Sequence, residues 1–228
     1  MKGDKNMKLE VIAASIEDID MINQSSADRI EFCKNLEVGG LTPSYTDIEI
    51  AGNISKLPVN IMLRPTARDF FYSEEEFQIM LQDLEFIVTT KVAGVVVGII
   101  TPEGEINVER MKQITAKRGN KTVTFHKAFD NLVDFKKSLD ILQELGVETV
   151  LTSGGSDINK NLEILQELKD YNKVTVLVGG GVNFDNIEKV VEAANEIHVG
   201  TAIREKKSWS SPISIDKINE MKTFLTES

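Results

Sequence analysis

The sequence predicts an α/β fold, a single-domain (β/α)8 TIM barrel, on three observations. Eight short β-branched runs end in polar residues or glycine, and each leads into a longer segment with helical spacing. Strands that alternate with helices pair in parallel, because parallel neighbours need a crossover connection. The 228 residues carry no Pro/Ser-rich linker, and barrels of this type use about 200–250 residues as one unit. An open doubly wound sheet is the alternative. It predicts very apolar central strands with functional residues only at their ends, whereas several strands here carry charge inside them.

In chain order, strands are expected at residues 9–13, 29–33, 59–64, 94–98, 122–126, 148–152, 174–178 and 196–199. Helices are expected at 15–26, 45–53, 74–90, 108–117, 132–145, 159–170, 184–194 and 214–225. The third helix shows the pattern most clearly. Phe77, Met80, Leu81, Leu84, Ile87 and Val88 recur at three- and four-residue steps, one apolar stripe. Small residues mark helix-to-strand joints at Ala27-Asp28, Ala93-Gly94 and Leu145-Gly146. The barrel domain is placed at residues 8–228, with 1–7 as an N-terminal extension.

Composition narrows the partners. Lys and Arg number 26 against 36 Asp and Glu, a net charge of −10, so no nucleic-acid partner is expected. With 41% hydrophobic and 27% charged residues the chain can bury a core. The lone cysteine, Cys33, forbids an intrachain disulfide. Residues 1–10 lack the apolar region of a signal peptide. The longest apolar stretch, 92–100, is far short of the ~20 residues of a membrane span. A soluble, cytoplasmic protein without a membrane partner is expected. Two histidines, His126 and His198, exclude a three-His zinc site within one chain.

Residues two apart on a strand share a face. Glu10 goes with Ile12, Glu31 with Cys33, Met62 with Arg64, Thr124 with His126, and His198 with Gly200. The purely apolar faces belong against the helices, so these mixed faces point into the barrel, where buried charges must pair. One outcome is a self-satisfied polar plug. The other is a site at the carboxyl ends of the strands, where Cys33, Arg64, His126 and Thr152 lie. In that site His126 is the general acid/base. Glu31 or Glu10 orients it or acts as a second acid, and Arg64 clamps an anion with its planar fork. Gly179, Gly180 and Gly181 after the seventh strand, and Gly200 and Thr201 after the eighth, are placed to cradle phosphate. Thr152-Ser-Gly-Gly155 can form a similar nest. Lys127, as neighbour of His126, is expected to face away. The aromatic segment 68–73, with Phe70, Phe71 and Tyr72, suits a lid or a subunit contact.

Taken in order, the motifs Arg29-Ile-Glu-Phe-Cys33, Gly39-Gly-Leu-Thr-Pro-Ser44, Met62-Leu-Arg-Pro65, Asp69-Phe-Phe-Tyr72, Val123-Thr-Phe-His-Lys-Ala-Phe-Asp130, Leu151-Thr-Ser-Gly-Gly155 and Val178-Gly-Gly-Gly-Val182 resemble the CutC copper homeostasis proteins. The resemblance runs from about residue 8 to about residue 204. It implies a (β/α)8 barrel, a homo-oligomer, a cytoplasmic location and a role in copper handling. It implies no established catalytic activity. Ile12 stands where many members carry the cysteine of a first-strand Glu-x-Cys, and Arg68-Asp69-Phe70 where many carry Gly-Asp-Phe. Cu(I) favours soft sulfur ligands, and Cys33, Met62 and His126 share the inward parity. The nearby Arg64 cation opposes a metal ion there, and a lone cysteine is commonly just a small buried hydrophobe. Copper bridging two subunits is a further option. Two functional readings follow: Cu(I) binding or trafficking, and an acid/base enzyme on a small phosphorylated or otherwise anionic metabolite. The expected partner is accordingly a small anion or a copper ion. A scaffold acting through its outer surface is a third.

Overall fold

In the computed structural model, which describes residues 7–226, eight parallel strands pair in chain order and the eighth hydrogen-bonds to the first. The strands are β1 (Leu9–Ala13), β2 (Arg29–Phe32), β3 (Val59–Met62), β4 (Gly94–Val97), β5 (Thr122–Phe125), β6 (Thr149–Thr152), β7 (Thr175–Val178) and β8 (Glu196–Val199). The helices are α1 (Ile16–Ile22), α2 (Tyr45–Ile54), α3 (Glu74–Thr89), α4 (Val108–Lys117), α5 (Phe135–Glu144), α6 (Leu162–Tyr171), α7 (Ile187–Val190) and α8 (Ile215–Thr226). This is the expected (β/α)8 barrel. The proposed extension at residues 1–7 lies, apart from Met7, outside the described residues. No helix among them is long and apolar enough to cross a membrane.

Helix boundaries follow local hydrogen bonding. At α3 the Ser73 side chain accepts from the Glu76 N–H while Glu76 reaches back to the Ser73 N–H, a reciprocal cap. The predicted stripe Phe77, Met80, Leu81, Leu84 and Ile87 is buried on the barrel. Besides α6, which starts at Leu162 rather than residue 159, three helices are shorter than expected by several residues. α1 stops at Ile22, where the Ser25 hydroxyl takes the Ile22 carbonyl. α5 begins at Phe135 rather than residue 132, because Lys127–Asn131 forms its own 3-10 turn and Asp134 caps the helix. α7 shrinks to Ile187–Val190 plus a 3-10 turn, since Asn186 accepts the Asn183 N–H and holds the preceding residues as a loop.

The main core lies between strands and helices, built from outward residues such as Val11, Ile30, Phe32, Ile61, Val95, Val123, Phe125, Val176 and Ile197. Burying each of the larger ones contributes roughly 1.5–3 kcal/mol. The barrel interior is different. Glu10, Glu31, Asn60, Thr124, His126 and His198 are buried there, beside a small apolar cluster of Ile12, Cys33, Leu36, Met62 and Val96. A polar chamber of about 290 Å³, lined by Arg29, Asn60, Glu196 and four threonines, occupies the amino-terminal end.

Candidate active site

A cavity of about 430 Å³ opens at the carboxyl ends of the strands. Glu31 and His198 line its inner part with Ile12 and Met62; Arg64, Phe70, His126 and Lys127 form one wall; Gly180, Gly181, Gly200, Thr201, Lys207 and Trp209 come from the turns after β7 and β8.

Below it, an ionic network ties three strands. Arg29 on β2 pairs with Glu10 on β1 and, at 2.6 Å, with Glu196 on β8. Glu10 Oε1 also meets His198 Nδ1 at 2.7 Å. Burial alone would raise the Glu10 pKa, but the Arg29 charge and the His198 hydrogen bond outweigh it and hold it at about 2. An ionised Glu10 requires Nδ1 of His198 to carry the proton. His198 is itself held above its ordinary value: burial works against the charge, and the Glu31 charge and the Glu10 hydrogen bond prevail. Glu10 is therefore a buried counter-ion, beneath the cavity rather than on its wall.

Glu31 differs. Burial, reinforced by the Glu10 charge, pushes its carboxyl up to about 7 against the opposing pull of His198 and Arg29. Its Oε2 is buried without a hydrogen-bond partner. Donor atoms of Glu10, Glu31 and His198 lie within 4.8 Å of one another.

His126 ends β5 and caps the following turn: its Nδ1 accepts from the Ala128 N–H at 3.1 Å. The neutral ring must then carry its hydrogen on Nε2, which is buried and unpartnered. Burial and then the Arg64 charge lower its pKa to about 3. His126 is thus a neutral hydrogen-bond donor at neutral pH, whereas the Glu31 carboxyl is shifted to about 7. Gly98 makes room for the ring, since a Cβ there would stand 2.5 Å from His126 Nδ1.

Arg64 also departs from expectation. Its Nη1 donates to the carbonyls of Val38 and Gly40 at 3.0 and 3.1 Å, and Nη2 to Ala67 at 3.2 Å. The fork fastens two mouth loops with three of its five N–H groups; of the remaining two, Nε is buried and unpartnered. Its guanidinium lies 4.9 Å over the Phe70 ring, which also packs on His126. Within the aromatic segment, Phe70 borders the cavity, Tyr72 is buried and Phe71 is exposed.

Of the other expected residues, Gly180, Gly181, Gly200, Thr201 and Met62 line the cavity, whereas Thr152, Gly179 and Cys33 do not. Thr152 has the outward parity, and its hydroxyl donates to Asp130. A Cβ on Gly179 would stand 2.7 Å from Leu151 and 2.9 Å from His198, so this glycine serves packing. Lys127 reverses the expectation and lines the cavity. β5 ends at Phe125, and the 3-10 turn beyond it breaks the alternation on which the outward assignment rested. His198, Lys207 and Trp209 were not singled out as site residues. His198 was findable, since it shares a face with Gly200 and pairs in register with Glu10; the two loop residues carry no such signal.

The thiol does not fit a one-chain Cu(I) site. Cys33 is wholly buried, sealed behind Gly40, where a Cβ would stand 3.1 Å from its Sγ. Burial, then the Glu31 charge, push its pKa well above the ordinary thiol value. Its cluster mates are Ile12, Leu36, Met62 and Val96, so no second thiolate faces it. The Glu10, Glu31 and His198 donors are oxygen and nitrogen, harder than Cu(I) prefers, and Glu10 is committed to Arg29 and His198.

The CutC family model matches residues 7–203. A CutC family protein of Glaesserella parasuis is 38% identical over 213 residues, covering 91% of this chain and 87% of that one. One from Vibrio campbellii is 36% identical over 201 residues, covering 85% and 81%. Among solved structures, a proposed copper homeostasis protein CutC from Streptococcus agalactiae superposes with a TM-score of 0.82 at 32% identity, covering 86% of this chain and 99% of that chain.

Proposed function

The chain belongs to the CutC family, and from that premise we propose that it is an acid–base enzyme acting on a small anionic metabolite held in the barrel mouth. One observation carries this reading. Three buried polar atoms without partners, Glu31 Oε2, Arg64 Nε and His126 Nε2, belong to residues of a single cavity. Leaving such groups unpaired costs about 1–3 kcal/mol each, so a self-satisfied plug is a poor account of them. A ligand oxygen can accept from the Arg64 and His126 N–H groups. Glu31, half ionised near neutral pH, can take a proton from the adjacent ligand atom and return it to another position. The two donors then stabilise the negative charge that the oxygen gains while the proton is on Glu31. Every proton removed is given back, so the chemistry is an isomerisation or enolisation and needs no second reactant.

The test is exchange of carbon-bound hydrogen with deuterated water across small phosphorylated and carboxylated metabolites, followed by NMR. Wild type should exchange at least one of them, and Glu31→Gln should be slower by about 10²-fold or more. No exchange with any of them, or an unchanged rate in Glu31→Gln, would overturn the reading. The copper role described for the Streptococcus agalactiae relative is addressed in the same preparation. After Cu(I) loading and dialysis against a moderate chelator, copper should remain at trace level; stoichiometric copper that disappears in Cys33→Ser would instead support copper as cargo.

A further inference from the structure

Besides His198, the cavity carries three cationic side chains, Arg64, Lys127 and Lys207, against two carboxylates: Glu31 deep inside and Asp185 exposed at the rim. Arg64 has three of its five N–H groups bound to backbone carbonyls and meets the ligand at the reacting end, so a cation for the rim lies elsewhere. Lys127 Nζ is 2.7 Å from Asp130 Oδ2 and 2.7 Å from Ser153 Oγ. Asp130 is in turn fixed by the Thr152 hydroxyl and the N–H groups of Ser153 and Gly155. The ammonium is therefore anchored, and two of its three hydrogens are used. The side chain is still 41% exposed, so the third can reach a ligand.

Opposite stands the turn after β7. Gly180 and Gly181 hold φ of +81° and +130°, conformations that L side chains resist. A Cβ on Gly180 would also collide with Lys127 Nζ, so the ammonium lies directly on this turn. Among the described residues, the N–H groups of Gly180, Gly181 and Val182 have no acceptor. All three residues line the cavity.

We propose that the ligand is a phosphate monoester whose phosphate docks on this rim, with Lys127 as its cation and the Gly180–Val182 amides as its neutral donors. The inference rests on the acid–base reading and adds the substrate class to it. One ammonium hydrogen and three peptide N–H groups suit a group with three terminal oxygens better than a carboxylate with two. The phosphate is a handle and is not itself broken. The apolar walls of Ile12, Met62, Leu151 and Trp209 receive the body of the molecule and direct it towards Glu31 and His126.

Inorganic phosphate is the probe. Trp209, the chain's one tryptophan, lies on the cavity wall and reports binding by fluorescence. Wild type should show saturable phosphate binding that acetate does not reproduce. Lys127→Gln should weaken it by at least about tenfold, and Lys127→Arg should restore most of the loss. In the unmutated protein, phosphate should also slow acetylation of Lys127, read by mass spectrometry, while leaving lysines on the outer helices unchanged. Absence of saturable binding, wild-type affinity in Lys127→Gln, or unprotected Lys127 would each overturn the proposal. The two readings fail separately. Phosphate protection without hydrogen exchange would leave this rim standing and sink the acid–base assignment; Glu31-dependent exchange on carboxylated metabolites alone would do the reverse.

Discussion

Glu31 and His126 are held off their ordinary ionisation in opposite senses, and each leaves a mark on stability. The folded Glu31 titrates at about 7 instead of 4.5, so between those values the native chain keeps a proton that the unfolded chain has lost. Its contribution to stability therefore falls as pH rises through that window. His126, lowered from 6.5 to about 3, does the opposite: its contribution is lost as pH falls through its own window. Urea unfolding of wild type and Glu31→Gln at about pH 4.5 and pH 8 separates the two. The variant should gain on wild type at the higher pH, and a difference independent of pH would contradict the Glu31 assignment. Strand alternation made the inward direction of Glu31, Met62, Arg64 and His126 legible. It could not show which were already committed, because that depends on carbonyls of the mouth loops. For Glu31 the readable clue was Arg29, two residues away and hence on the same face.

At the scale of elements, α3 links sequence to site. Its reciprocal cap uses Glu76, which also takes the Arg68 guanidinium at 2.7 Å. The cap thus steadies the loop that brings Phe70 onto Arg64 and His126. Ser73→Ala should cost about 1 kcal/mol in urea unfolding and should speed amide exchange across residues 68–73. Unchanged exchange there would confine the cap's role to the helix. This helix was readable because its apolar stripe recurs at three- and four-residue steps along its whole length. α5 and α7 were over-extended because apolar residues such as Leu132 and Phe184 continue their patterns into turns that Asp134 and Asn186 hold in a different conformation.

For the whole molecule, eight repeated units sufficed to predict closure, since each strand needs a partner and parallel crossovers leave few ways to supply one. What repetition cannot reveal is the ionic bond across the seam where β8 meets β1. Arg29→Met strands Glu10 in the interior and should cost about 3–5 kcal/mol at neutral pH. The loss should shrink as acid protonates Glu10, which in wild type stays ionised down to about 2; a pH-independent loss would point to packing alone. Glu196, Arg29, Glu10 and His198 form an unbroken line from the amino-terminal chamber to the cavity. A field altered at the far end is therefore felt by Glu31 with no wall of the mouth displaced. Drift at Glu196 alone would let a lineage retune its working acidity while keeping the shape its ligand recognises.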